Sequence, residues 1–318
     1  MSKEEAQEII AGSEDSKPVM QNGGRGRPAV LIEAFTTAPL AGNGAAVVLL
    51  EHPAADAWLQ GVAGSLRQSE TAFLLRLGPD WQLRWFTPTC EVPLCGHATL
   101  AALLALVHWD LVPAGRSVRF LTRSGPLAGA VREDAAWTGW IELPAGRMLP
   151  HPPEASLDAW LQARVGSGAE AAWSSDLGYE VALLPASAPL CRMGRPGGDL
   201  PGRMGRGLVL MQPLERPDDP ADYRLRFFAP DLGIEEDPVT GSAHALVAPW
   251  WMERLGRRRV VGWQCSDRPG GMVCEAADSG MIRLTGSGVL LWDGRLREPP
   301  PGEGHSWPHW PEGSPAGD

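Results

Sequence analysis

A thiol, a flexible turn and an imidazole stand side by side at Cys95, Gly96 and His97, within the run RWFTPTCEVPLCGHATLAALLALVHW (84–109). Directly behind them the chain is apolar on nearly every helical face, which predicts a helix buried all round. The first turn of such a helix carries unpaired N–H groups and the positive end of the aligned peptide dipoles, so it is an anion site. A second run, EEDPVTGSAHALVAPWWMERL (235–255), repeats the arrangement, with Glu235, Glu236 and Asp237 ahead of Gly241 and with Ser242 and His244 after it. Two helix starts facing each other across a cleft would grip a small carboxylate, and the glycines would let it approach the backbone. Glu70 stands between a helical pattern and an apolar strand, where desolvation would raise its pKa into the range of a general acid or base.

Each of these residues also has a plainer use. Acidic residues ahead of a helix commonly cap it. A glutamate at a helix end is ordinarily solvated, and a free cysteine such as Cys95 is commonly core. A metal site from Cys90, Cys95, His97 and His108 matches no common zinc spacing, and no metal is expected. The run RPGG (268–271) reads as a tight turn between strands that could also position a substrate.

The elements that must position these residues are mostly strands: 29–35, 45–50, 71–77, 82–86, 207–214, 223–228, 281–286 and 289–292. Helical patterns are few. One covers 55–68; another starts at Ser156 as N-cap and continues through Leu157, Trp160, Leu161 and Val165. Both contain DAWLQ, at 56–60 and 158–162. A stronger echo pairs RWFTP (84–88) with RFFAP (226–230), each followed by a loop, a glycine and an apolar helix (97–109 and 242–255). Recurrence at about half the chain length is what a duplicated domain leaves. Pro249 is expected to kink the second helix. The second DAWLQ lies about forty residues further from its Arg-x-Phe-x-Pro partner than the first does, which suggests an insertion in the second half. The expected division is a loose head (1–27), two domains (28–145 and 146–296) and a Pro/Gly-rich tail (297–318) in which Trp307 and Trp310 could dock.

Composition excludes several function classes. The chain has 318 residues and a formal net charge of −10, which argues against nucleic acid or an anionic membrane as partner. Lysine occurs only at Lys3 and Lys17, so the folded body has no amine for a Schiff base and no Walker lysine. No secretory signal or membrane-spanning run is present, and a cytoplasmic protein is expected. Five cysteines at irregular spacings suggest no disulfide framework.

Taken together, EAFTTAPLAGNGAAVVLL (33–50), SETAFLL (69–75), RWFTPTCEVPLCGHATLAA (84–102), RFFAPDLGIEEDPVTGSAH (226–244) and QCSDRPGG (264–271) resemble the phenazine-biosynthesis PhzF-like isomerase family. The resemblance runs from about 29 to about 292 and departs from the family at Gly44, where proline is usual. It implies an α+β, diaminopimelate-epimerase-like fold: two pseudo-symmetric domains, each a β-barrel-like mixed sheet around a central apolar helix, with the site between them. It implies that Glu70 moves a proton between two carbons of a small carboxylate, without cofactor. His97 and Asp237 would hold the substrate, the N–H groups at Gly96, Gly241 and Ser242 would take its carboxylate, and a homodimer is the expected assembly. Two rival readings stay open. An amino-acid racemase would use Cys95 against a second base, although the turn DPVTGSAH lacks the second thiol. A non-catalytic binding protein would have kept the cleft and lost the reaction.

Overall fold

The computed structural model describes residues 26–135, 137–196, 200, 207–214, 219–230 and 234–297. The expected head, the tail beyond 297 and both tail tryptophans lie outside these residues, Gly26 and Arg27 excepted. The first half holds β1 (Arg27–Ala34), β2 (Asn43–Leu50), β3 (Glu70–Leu77), β4 (Asp80–Phe86), β5 (Glu91–Val92), β6 (Val118–Thr122), β7 (Gly125–Val131) and β8 (Thr138–Pro144). The second holds β9 (Met148–His151), β10 (Ala171–Ser175), β11 (Tyr179–Leu183), β12 (Gly207–Pro213), β13 (Tyr223–Ala229), β14 (Ile234–Asp237), β15 (Arg259–Gln264), β16 (Gly270–Ala276) and β17 (Met281–Leu296).

Strand pairing makes the duplication explicit. One ring runs β1, β2, β3, β4, β6, β7, β8, β17 and back to β1, with β2–β3 and β4–β6 parallel and every other pair antiparallel. The other runs β10, β11, β12, β13, β15, β16, β17 and β8, returning to β10 through β9. Its β11–β12 and β13–β15 pairs are parallel, so the order of pair types is the same. Both rings are closed, which removes exposed sheet edges. The proposed division at 145/146 falls in the link between β8 and β9. Residues 288–296 return to pair with β1, so the two barrels exchange their closing strands. The two runs read as strands at 281–286 and 289–292 are one continuous β17.

Each ring closes around one helix. In the first, α2 (Gly96–His108) is buried at every position from Gly96 to Leu106. The all-round apolar pattern of that segment has no other stable location, since each Leu and Ala face meets a strand. In the second, α4 (Gly241–Leu255) buries Ala243 to Ala248, Trp251 and Met252 and continues through Pro249. Two further helices, α1 (Asp56–Leu66) and α3 (Ala155–Val165), pack outside, α1 over Phe73 and Phe86 and α3 over Leu208, Leu210 and Phe228.

Three sequence expectations are corrected. The DAWLQ helices are not equivalent: α1 joins β2 to β3, whereas α3 lies between β9 and β10. The longer spacing in the second half therefore reflects two extra strands after α3, and the inferred forty-residue insertion falls with it. Ser156 is the second residue of α3, and the N-cap is Glu154, with no side-chain cap bond. Cys191 and Cys265 form a disulfide, because the end of β15 meets a short turn at Leu190–Arg192 and brings their Cα atoms to 5.2 Å across a sequence separation of 74. Spacing along the chain carries no trace of that approach. Among the described residues, no helix is long and apolar enough to cross a membrane.

Candidate active site

The two central helices meet end to end. A Cβ on Gly96 would stand 3.0 Å from the Gly241 Cα, and one on Gly241 would stand 3.1 Å from the Gly96 Cα. Any side chain there would force the helix starts apart, so these glycines serve the approach of helix to helix. Cys95 and Thr240 are the N-caps, both extended and without a side-chain cap bond. The first-turn N–H groups of α2 and α4 therefore converge on one region between the barrels.

Glu70, His97 and Asp237 gather at that junction. Glu70 opens β3 after α1 ends at the left-handed Arg67, His97 is the second residue of α2, and Asp237 ends β14. All three are buried, with relative exposures of 8%, 3% and 6%. His97 Nε2 lies 3.2 Å from Glu70 Oε2, in contact but outside hydrogen-bond alignment, so that buried oxygen has no hydrogen-bond partner. Asp237 is held on both oxygens: the Asn43 amide donates to Oδ1 at 2.6 Å and the Thr240 hydroxyl to Oδ2. Gln264 fixes the turn behind it, donating to the Asp237 carbonyl at 2.6 Å and accepting from the Thr240 N–H at 2.7 Å.

Burial sets the electrostatics. Desolvation first, and the neighbouring Asp237 charge second, push the Glu70 carboxyl up to about 8. Desolvation also raises Asp237, holds His97 down to about 3, and raises the Cys95 thiol. Near neutral pH burial leaves the imidazole uncharged and brings both protonation states of Glu70 within reach, the condition a general acid or base needs.

The raised Glu70 pKa is also a stability statement. Below its ordinary value of 4.5 the group is protonated in folded and unfolded chains alike, and its full contribution is present. Between 4.5 and about 8 only the unfolded chain ionises, so stability is lost progressively as pH rises. Glu70→Gln, which cannot ionise, is expected to match the parent in thermal unfolding near pH 4 and to exceed it by a few kcal/mol near pH 9. Equal unfolding midpoints across that range would show that the carboxyl is not desolvated.

Most other sequence candidates fall elsewhere. Glu236 pairs with Arg226 on β13, and His244 turns into the second barrel, where its Nδ1 meets the Tyr223 hydroxyl at 2.8 Å. Ser242 stands at the second helix start with its hydroxyl 3.1 Å from that of Tyr179. Cys90 is exposed and His108 contacts Asp293, so the four-residue metal set considered from sequence does not assemble. Glu70, Cys95 and His97 alone among the described residues bring three ligand-type atoms within 4.8 Å of one another. A metal there would have to ionise a thiol that burial holds protonated. The RPGG run forms the turn into β16, and its Arg268 pairs with buried Glu33 on β1. Asn43, Ser69, Thr240 and Gln264 are site residues that sequence reasoning left without a role. Asn43 and Gln264 each stand within or beside a quoted motif, but only tertiary pairing brings them to Asp237.

Comparison with known proteins places the chain in a family. The family model described as phenazine biosynthesis-like protein matches residues 32–294. An uncharacterised isomerase of Pseudomonas aeruginosa is 36% identical over 269 residues, covering 84% of this chain and 97% of the relative. A phenazine biosynthesis-like domain-containing protein of Mus musculus is 32% identical over 294 residues, covering 85% and 98%. The crystal structure of a PhzF-family phenazine biosynthesis protein from Enterococcus faecalis superposes with a TM-score of 0.74 at 29% identity, covering 86% of this chain and all of that one.

Proposed function

The chain belongs to the phenazine biosynthesis-like family, an isomerase family with the diaminopimelate-epimerase-like fold, and from that premise we propose that it moves a proton between two carbons of one small carboxylate substrate. Ionised Glu70 removes a proton from a carbon acidified by adjacent unsaturation. The electron pair left behind spreads into the conjugated system, and protonated Glu70 returns the proton at another carbon of that system. Atoms and charge balance within the pair, so the step calls for no cofactor. The N–H groups at the two helix starts take the substrate carboxylate and stabilise charge that develops on it. His97 and Asp237 orient the substrate by hydrogen bonds.

The observation that carries this reading is Glu70 itself: a buried carboxyl with a raised pKa and one oxygen without a hydrogen-bond partner, at the meeting of two helix N-termini. Proton NMR in D₂O tests it, with catalytic protein and a panel of small unsaturated carboxylates and amino acids. Deuterium entering one compound at a defined carbon supports proton transfer and names the substrate class. Absence of exchange throughout, with thermal stabilisation by some of the same compounds, would instead support a binding protein.

The racemase reading makes Cys95 a base on one face of the substrate carbon. Burial and the neighbouring Glu70 charge both oppose formation of its thiolate. Cys95→Ser is therefore expected to keep exchange within about threefold of the parent, well short of the 10²-fold or larger loss for an essential base. A loss of that larger size would restore Cys95 to a catalytic role.

A further inference from the structure

We propose that Asn43 is a positioning residue that fixes the tautomer of His97, holding the ring proton on Nε2, the nitrogen on the Glu70 side of the ring. The inference deepens the proton-transfer reading and rests on it for its catalytic meaning, while the tautomer itself can be measured without substrate.

Asn43 opens β2 and is fully buried. Its amide orientation follows from its neighbours: Nδ2 lies 2.6 Å from Asp237 Oδ1 and 3.0 Å from the Val239 carbonyl, and Oδ1 accepts from the Ser69 hydroxyl at 3.0 Å. A reversed amide would set its oxygen against a carboxylate and a carbonyl, both acceptors. The same Nδ2 is 3.1 Å from His97 Nδ1. An amide NH₂ has no lone pair to offer and shares its two N–H groups among Asp237, Val239 and His97, so the ring nitrogen facing it is placed to accept. The Cys95 sulfur, 3.5 Å from Nδ1, can also serve that nitrogen as donor. Burial keeps the ring neutral, and its single proton then resides on Nε2, 3.2 Å from Glu70 Oε2.

The geometry ties three proton positions together. Ser69, the residue before Glu70, orients Asn43, Asn43 orients His97, and His97 sets its protonated nitrogen 3.2 Å from Glu70. Because β2 and β3 run parallel from Ala45 opposite Glu70, the two strands deliver the amide and the carboxyl to the same end of the barrel.

Long-range proton–nitrogen correlation NMR on histidine-labelled protein reads the tautomer, with the His97 signals identified by their loss in His97→Gln. The parent protein is expected to show a neutral His97 with protonated Nε2. In Asn43→Asp the new carboxyl shares one proton with Asp237 and turns an accepting oxygen to Nδ1 where the donor stood, and the ring proton is expected to move to Nδ1. A parent His97 protonated on Nδ1 would overturn the proposal, as would an unchanged tautomer in Asn43→Asp. If that variant does not fold, the parent spectrum and Asn43→Ala, expected to show both tautomers in exchange, decide the matter. On a substrate found by deuterium exchange, Asn43→Ala is expected to lower kcat about 10²-fold. A fall in thermal stability with kcat and tautomer unchanged would mean a structural role only and would also overturn it. Exchange that survives Glu70→Gln while His97 keeps its Nε2 proton would take the proton transfer away from Glu70 and leave the tautomer assignment standing.

Discussion

Glu70→Gln is expected to lower deuterium exchange into substrate at least about 10²-fold while the fold, and ligand-induced thermal stabilisation, persist. The amide is nearly isosteric with the carboxyl and keeps a hydrogen-bonding oxygen, but it has no proton to cycle near neutral pH. The parent group is placed for cycling: burial and Asp237 raise it to about 8, so both protonation states are accessible in the working range. The rate of the parent enzyme under kcat/KM conditions should rise with pH toward about 8 as the base form appears. In the proposed mechanism the substrate is held by the helix N-termini and by His97 and Asp237, which the substitution leaves in place. A variant retaining more than about a tenth of parent activity would take the chemistry away from Glu70. The same change is expected to stabilise the protein at alkaline pH. Loss of activity with gain of stability would mark a carboxyl kept buried for function at a cost to the fold.

What could be read from sequence follows from how local each signal is. The two central helices were legible because a segment apolar on every face admits one kind of location, and Gly96–Leu106 occupies it. Duplication was legible in the Arg-x-Phe-x-Pro echo, since β4 and β13 hold equivalent places in their rings. The second echo misled: DAWLQ at 56–60 and 158–162 is a short amphipathic helix that recurs in inequivalent connections. Several strands are hidden in the sequence because glycine interrupts their pattern, as in GPLAGAV of β7 and RVVGWQ of β15. The glycines at 96 and 241 stand out in the sequence, but their packing against each other does not, because nothing local shows that the two turns touch. Glu70, His97 and Asp237 were named from motifs, and the structure brings them together. Asn43 was missed because its meaning is wholly tertiary: three of its four polar contacts are with residues more than fifty positions away.

The duplicated arginines yield the second large effect, because the two halves bury the same device to different depths. Arg84 on β4 grips both oxygens of Glu91 on β5 at 2.8 and 2.9 Å, and Arg226 on β13 grips both oxygens of Glu236 on β14 at 2.7 Å each. In each half the fork pins the short strand that leads into a glycine turn. The first pair is partly solvated, with side-chain exposures of 23% and 14%, and the second is sealed at 2% for both partners. Arg84→Met is therefore expected to cost about 1 kcal/mol, in the range of exposed pairs. Arg226→Met strands a carboxylate in the interior and is expected to cost about 3–5 kcal/mol in reversible denaturation. Arg195, 3.8 Å from Glu236 and half exposed, is too distant and too solvated to replace the fork. Removing the stranded charge as well, in Arg226→Met with Glu236→Leu, should recover most of the loss, which a simple packing defect would not do. Equal costs in the two halves would refute the burial argument. Because Glu236 immediately precedes Asp237, the Arg226 variant should also lose exchange activity at temperatures where it remains folded, while the Arg84 variant keeps it.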